Sequence, residues 1–284
     1  MKDLIKVCNL TYNYAMEPAA ALRNINLQIK EGEYLAVIGP NGCGKTTLIR
    51  HFNALLFPSS GEVQVNGLDT CDAKSILEIR RLVGMIFQNP DNQIVGMSVE
   101  EDVAFGPGNL GLPARELRRR VNMALSMTGL GGLEKRPPHT LSGGQKQLLA
   151  VAGLLAMEPK LIVLDEPTSS LDPASKKKVL GLLQNLNAQG IGIIHVTHNM
   201  EEAALADRVL VMDKGELIAD GSAAEILSQV EWLKSLGLEP PLITELFWHL
   251  RQGGEELAND IFAVEAAVQE LSTLLMRLRK SGHV

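Results

Sequence analysis

Apolar and polar residues alternate early in the chain. Ile25, Leu27 and Ile29 are interleaved with Asn26 and Gln28, and Val63 and Val65 repeat the alternation after a Ser59-Ser60-Gly61 turn. This is the period of a strand with one buried face, so residues 1 to about 35 and the stretch around Val63 read as strands. Further on, the apolar positions gather into short unbroken runs: Tyr34 to Ile38, Leu161 to Leu164 and Ile191 to Val196. Each is followed by polar or Gly-rich residues and then by helix-like sequence. Such runs, separated by helices, predict strands buried on both faces of a parallel sheet, hence an α/β fold.

Residues 91 to about 157 read differently, with Pro, Gly and helix-forming stretches such as Ala114 to Met127 and no clear strand. The pattern predicts a helical subdomain inserted between two sheet strands. After about residue 225 the sheet signals stop. Ile261, Val264, Val268, Leu271, Leu275 and Leu278 then follow helical spacing. That helix either packs on its own domain or meets a partner copy. No repeat or low-complexity segment interrupts the chain.

With 284 residues, 45% of them hydrophobic and 21% charged, the chain has the composition of a globular protein with one large core and a small annex. The net charge of -6 argues against nucleic acid as the main partner, because phosphate neutralisation wants a basic face. The first residues have no apolar signal region, and the uncharged stretch Gln147 to Met157 is too short to span a bilayer, so any service to a membrane is expected from outside the lipid. Cys8, Cys43 and Cys71 have neither metal nor redox spacing, which fits a reducing cytoplasm.

Three motifs carry chemistry. Residues 39 to 47 read GPNGCGKTT between an apolar strand and a helix-like segment, Thr46 to Leu55, which is the context of a phosphate-binding loop. The glycines Gly39, Gly42 and Gly44 let backbone amides face inward, and the helix start adds its positive dipole end. Pro40, Asn41, Cys43 and Thr47 complete the candidate loop; Lys45 would reach the β- and γ-phosphates of a nucleoside triphosphate and Thr46 would ligate Mg²⁺. The run Leu161 to Leu164 delivers Asp165 and Glu166 at its carboxyl end, where α/β sheets bind ligands. Asp165 is a candidate Mg²⁺ ligand through water and Glu166 a candidate general base. His198 ends the next apolar run and is placed to contact the γ-phosphate, whereas His195, inside that run, reads as a core histidine.

The third motif is Leu141-Ser142-Gly143-Gly144-Gln145, which opens a helix-like run and offers a hydroxyl and unobstructed amides at a helix N-terminus. With it the chain resembles the ABC family of ATPases over residues 1 to about 225. The resemblance implies a mixed-sheet P-loop ATPase core, an antiparallel β lobe, a helical subdomain carrying the signature and a small C-terminal helical extension. It implies that the signature of one subunit caps the ATP held by the loop of another, so that Ser142, Gly143, Gly144 and Gln145 bind nucleotide across a dimer. Gln88 matches the Q-loop glutamine, which touches Mg²⁺ and relays the nucleotide state to a membrane partner. Ser170-Leu171-Asp172 matches the D-loop. Tyr14 matches the aromatic that stacks on adenine, with Tyr12 as the alternative; either also serves as a strand residue.

Residues 87 to 113 and 235 to 254 resemble the ATPases of energy-coupling-factor transporters, which import vitamins or transition-metal ions such as cobalt and nickel. That likeness implies a second ATPase subunit, a transmembrane coupling protein gripped beside the Q-loop, and a small substrate-binding membrane protein, with the chain peripheral on the cytoplasmic side of the cell membrane. It assigns residues 226–284 to an extension that helps hold ATPase pairs together. Gln88 to Asp102 would form the groove, with Asp91, Glu100, Glu101 and Asp102 available to basic coupling residues or simply solvated. Leu148 stands where relatives carry arginine, and the D-loop reads SSLDP where one branch has AGLDP. The alternatives are an ATPase of another ABC importer or exporter, or a soluble ABC ATPase.

Overall fold

The computed structural model describes residues 2–15, 19–255, 257–258, 261–262 and 264–280. Its strands are β1 (Asp3–Tyr12), β2 (Leu22–Lys30), β3 (Tyr34–Ile38), β4 (Ser60–Val65), β5 (Leu68–Asp69), β6 (Val83–Ile86), β7 (Leu161–Asp165), β8 (Gly192–Val196), β9 (Arg208–Asp213) and β10 (Glu216–Ser222). Its helices are α1 (Lys45–Phe52), α2 (Ile76–Leu82), α3 (Val99–Gly108), α4 (Ala114–Thr128), α5 (Gly143–Leu155), α6 (Pro173–Ala188), α7 (Met200–Ala203), α8 (Ala223–Leu227), α9 (Val230–Ser235), α10 (Leu242–Gln252) and α11 (Val264–Lys280).

Two sheets result. The first, in the order β2-β1-β4-β5, is antiparallel and pairs Ile5 with Ile29 and Val7 with Leu27. The second has the order β10-β9-β3-β8-β7-β6 and is parallel from β9 through β6, with β10 antiparallel at its edge. The runs expected to be buried on both faces are so: every residue of β3, β7 and β8 is buried. Alternation along β3 splits the core in two. Tyr34, Ala36 and Ile38 join the helices α3 to α6, while Leu35 and Val37 join α1 and the antiparallel lobe. Both faces are therefore covered, as a parallel sheet requires.

Strands β6, β9 and β10 are additions to the expected set. The run Val83–Ile86 is only four residues long and contains Gly84, where a Cβ would lie 2.9 Å from a methyl of Leu154; close packing on α5 explains the glycine. Between β6 and β7 the chain is helical, with α3, α4 and α5 packed on one another. Helix α4 ends at Gly129 in the left-handed region (φ 69°), a common C-terminal stop. Helix α1 is shorter than expected: it ends at Phe52, and Ala54 turns the chain away with φ 51°.

The C-terminal helix departs from its expected stripe. Ile261 precedes α11; it is buried against Phe247, and its carbonyl accepts from Thr244 Oγ1 at 3.1 Å. Ala267 and Leu274 are the buried residues of α11, whereas Val264, Val268 and Leu275 are exposed. The side chain of Leu278 lies outside the described residues. Val264, Val268 and Leu275 of the expected stripe thus face away from this chain's own core, while Leu271 packs against the Phe247 cluster.

Candidate functional site

Strands β3, β8, β7 and β6 are neighbours in that order, so their carboxyl ends open on one edge of the sheet. The phosphate-loop segment follows β3, His198 follows β8, Asp165 and Glu166 end β7, and Gln88 follows β6. Four segments more than 150 residues apart at the extremes meet because parallel strands share one carboxyl edge.

Gly39 passes so close to β9 that a Cβ there would lie 2.2 Å from the Met212 carbonyl oxygen. Gly44 (φ 107°) presses against Ala21, whose carbonyl oxygen would be 2.7 Å from an added Cβ. Lys45 starts α1 and is buried; its Nζ donates to the carbonyls of Gly39 at 2.7 Å and Pro40 at 2.9 Å. A charge removed from water in this way is tolerated because polar oxygens take up its protons. Tyr14, Asn41, Gly42, Gly44, Lys45, Thr46, Thr47 and Glu166 line a cleft of about 530 Å³. Gly39, Pro40 and Cys43 do not line it. Cys43 is buried behind the loop, where desolvation pushes its thiol above the usual range.

Tyr14 and Tyr12 separate clearly. Tyr14 borders the cleft, and its hydroxyl lies 3.0 Å from Thr47 Oγ1. Tyr12 is wedged edge-on between the Tyr14 and His51 rings, each at 4.9 Å. Arg23, Lys214 and Gly215 also border the cleft, and the sequence reading had missed them. The Lys214-Gly215 turn joins β9 to β10 and is tied to the loop by Gly215 N donating to Cys43 O at 2.9 Å. A Lys-Gly turn signals a hairpin, but nothing local says which loop it will touch.

Thr46 Oγ1 donates to Asp165 Oδ2 at 2.8 Å, and both residues border a second cavity of about 530 Å³ with Gln88 and Arg50. Hydroxyl, carboxylate and amide oxygens are hard donors that suit Mg²⁺. Desolvation raises the Asp165 carboxyl pKa, so a cation beside it would relieve a buried charge. Among the described residues no group of three or more His, Cys, Asp or Glu could hold a metal ion.

Glu166 is the centre of the cluster. Its Oε2 accepts from Gln88 Nε2 at 3.0 Å, and its Oε1 lies 3.6 Å from His198 Nδ1. Its backbone is left-handed (φ 48°) and is pinned by Glu166 N donating to Val196 O at 2.9 Å. A non-glycine residue in that region costs about 1–2 kcal/mol and persists where its surroundings over-determine it.

The signature residues do not line this chain's cleft. Ser142 caps α5: its Oγ accepts from Gln145 N at 3.3 Å, while Ser142 N donates to Gln145 Oε1 at 3.0 Å. Gly144 is required for packing, since a Cβ there would meet Ser175 Oγ of α6 at 2.4 Å. Leu148 packs at the margin of the helical core, so the departure from arginine supplies an apolar contact. Asp172 caps α6, accepting from Ala174 N and Ser175 N at 3.0 Å each.

One expectation needs correction. Of the four acids assigned to a groove for basic partners, three are engaged within the chain. Asp91 pairs with Lys146 at 2.6 Å, Asp102 Oδ1 accepts from Val95 N and Gly96 N, and Glu101 Oε2 accepts from Met97 N. They shape the loop before α3. Glu100 borders a cavity with Arg118 and Lys135, and the exposed large apolar groups of this segment are Val95, Met97 and Phe105.

His195 is fully buried, as expected, but it is not alone. Its Nδ1 lies 3.4 Å from Tyr34 Oη, and its Nε2 lies 3.1 Å from Glu202 Oε2. Glu202 also accepts from Lys176 at 2.6 Å, Thr168 at 2.7 Å and Thr197 at 3.1 Å. Desolvation pushes this carboxyl's pKa up; His195, Lys176 and Thr168 outweigh it and bring the value down from 4.5 to about 2. A folded pKa below the unfolded one gives stability that is present above about pH 4.5 and is lost as pH falls toward about 2. At neutral pH this amounts to roughly 3 kcal/mol. Glu202→Gln is therefore expected to melt lower than the wild type at pH 7, with the gap closing in acid. Thermal melts of both proteins from pH 7 to pH 3 check this; a gap that does not narrow would refute the assignment.

The comparisons agree with this geometry. The family model described as "ABC transporter" matches residues 22–169. The cobalt import ATP-binding protein of Syntrophus aciditrophicus is 51% identical over 269 residues, covering 95% of this chain and 96% of that protein. The energy-coupling factor transporter ATP-binding protein of Clostridium perfringens is 47% identical over 278 residues, covering 96% and 99%. The solved structure of cbiO1 from Clostridium perfringens, described as part of the ABC transporter complex cbiONQ, superposes with a TM-score of 0.76 at 40% identity, covering 87% of this chain and 99% of that one. With loop, carboxylates, signature and histidine on one P-loop scaffold and relatives matched almost end to end, the chain belongs to the ABC transporter family, among the ATP-binding, ATP-hydrolysing subunits of energy-coupling factor transporters.

Proposed function

We propose that the chain acts as one half of a nucleotide sandwich whose closing and opening drive import of a transition-metal ion or vitamin through membrane partners. The observation that carries this reading is the separation of two anion-binding elements on one chain. Asn41, Gly42 and Gly44 to Thr47 of the loop face one cleft with Glu166, while the Ser142–Gln145 helix start borders none of it. A second subunit, identical or paralogous, would bring its own Ser142, Gly143, Gly144 and Gln145, or their equivalents, over the nucleotide. The chain divides, on this reading, into an ATPase domain over residues 1–225, with a helical subdomain at about 91–157, and an extension over 226–284. The uncovered Val264, Val268 and Leu275 face of α11 suits a dimerisation role for that extension.

Within the site, loop amides and Lys45 hold the β- and γ-phosphates, and Tyr14 stacks on adenine. Thr46, Asp165 and Gln88 would hold Mg²⁺, which when bound supplies positive charge to the phosphate oxygens. Glu166 takes the proton from the attacking water and His198 donates to a γ-phosphate oxygen. Catalysis on this scheme is positioning and charge neutralisation. Gln88 contacts Glu166 and begins the segment that carries exposed Val95 and Met97 and then α3 with exposed Phe105, so it is placed to report the nucleotide state to a transmembrane coupling protein.

Among the described residues no helix is long and apolar enough to cross a membrane. On the transporter reading the chain sits on the cytoplasmic face of the cell membrane as a peripheral subunit. Affinity purification of the tagged chain from detergent-solubilised native membranes tests this. Recovery of a multi-span coupling protein with a small substrate-binding membrane protein is expected. Recovery of an active ATPase with no membrane protein would overturn it.

A further inference from the structure

Glu202 is buried and lies outside the nucleotide cleft, yet its two oxygens reach the two segments that carry the reacting groups. Oε1 accepts from Thr168 Oγ1 at 2.7 Å, two residues beyond Glu166. Oε2 accepts from Thr197 Oγ1 at 3.1 Å, the residue before His198. Lys176 of α6 balances the charge at 2.6 Å.

Both segments are short turns leaving neighbouring strands, with Asp165 opposite Val196 in register. Neither turn is held by its own side chains alone. Glu166 has a left-handed backbone, and the His198 side chain is 58% exposed, so packing does not orient it. The Glu166 to His198 contact of 3.6 Å must then be set by where the two turns begin. A carboxylate can do this because it accepts on both oxygens at once, whereas an apolar residue of the same size would leave two buried hydroxyl protons without an acceptor, even though Thr197 Oγ1 would still accept from Asn199 N at 3.0 Å. We propose that Glu202 is a positioning residue for ATP hydrolysis, a buried side-chain clamp that, beside the main-chain bond from Glu166 N to Val196 O, fixes the Glu166 turn relative to the His198 turn through Thr168 and Thr197. This rests on the assignment of Glu166 and His198 to the reaction.

The test uses the full chain and steady-state ATP hydrolysis with Mg-ATP. Thr168→Val and Thr197→Val keep side-chain shape and remove the hydroxyl; Thr168→Ser and Thr197→Ser keep the hydroxyl. Each valine variant is expected to lose at least about fivefold in kcat with KM for ATP changed less than about twofold, and each serine variant to stay within about twofold of wild type. Glu202→Gln should show the same split if it folds; if it does not, the threonine pairs decide alone. Valine variants with wild-type kcat would overturn the clamp, as would serine and valine variants that fail alike, which is the mark of a packing role. Glu166→Gln run in parallel separates the two readings. If it hydrolyses normally, the Glu166 assignment falls; if it is inactive while the valine variants are normal, the clamp alone falls.

Discussion

Glu166→Gln is expected to bind ATP within about threefold of wild-type affinity and to hydrolyse it at least about 100-fold more slowly, the scale of a lost general base. The substitution changes little else. Glutamine has the same length and keeps an oxygen to accept from Gln88 Nε2, now 3.0 Å from Glu166. It tolerates the left-handed backbone as poorly or as well as glutamate does. What it cannot do is take a proton from water. Single-turnover phosphate release, measured beside equilibrium binding of a fluorescent ATP analogue, separates the two effects. A kcat near wild type would remove Glu166 from the chemistry; lost binding would mean that its charge builds the nucleotide site itself.

The second large effect is structural. Gly39→Ala places a Cβ 2.2 Å from the Met212 carbonyl oxygen and 2.8 Å from Cys43 Sγ. Neither neighbour yields easily: Met212 lies in β9, which is paired on both sides, and Cys43 is buried. Overpacking against main chain is expected to destabilise the fold by at least about 3 kcal/mol, lowering the melting temperature by roughly 6–12 °C. Gly42→Ala is the control. It has no atom within 4 Å of an added Cβ and bears only the left-handed strain of φ 75°, about 1 kcal/mol. Melting curves of the two variants should differ accordingly. If Gly39→Ala melts with the wild type, the loop does not sit against β9 as described.

Much of the site was legible because its chemistry needs contiguous residues. A phosphate loop is consecutive amides, so Gly39 to Thr47 announces itself along the chain. Asp165 and Glu166 are marked by the apolar strand that delivers them, and Ser142 to Gln145 by a capping pattern at a helix start. Less was legible where contacts come from afar. Lys214 and Arg23 reach the cleft from a hairpin and a strand start with no motif of their own. The acids Asp91, Glu101 and Asp102 read along the chain as a surface for a basic partner, yet three-dimensional proximity engages them within the chain, with Lys146 and with loop amides. The expected stripe of α11 has helical period, yet among the described residues the face buried on this chain carries Ala267 and Leu274, with Leu271 at its margin.

The class of fold, the buried strands β3, β7 and β8, the nucleotide chemistry and the family can be read along the chain, because periodicity and contiguous motifs are local properties. Tertiary structure alone decided which strands lie side by side. Hence it alone brought Gln88, Glu166 and His198 within reach of one another and tied Thr168 and Thr197 to Glu202. The physical reason is that strand order in a parallel sheet is set by the packing of helices on its two faces, a free energy summed over the whole core, which no short stretch of residues contains.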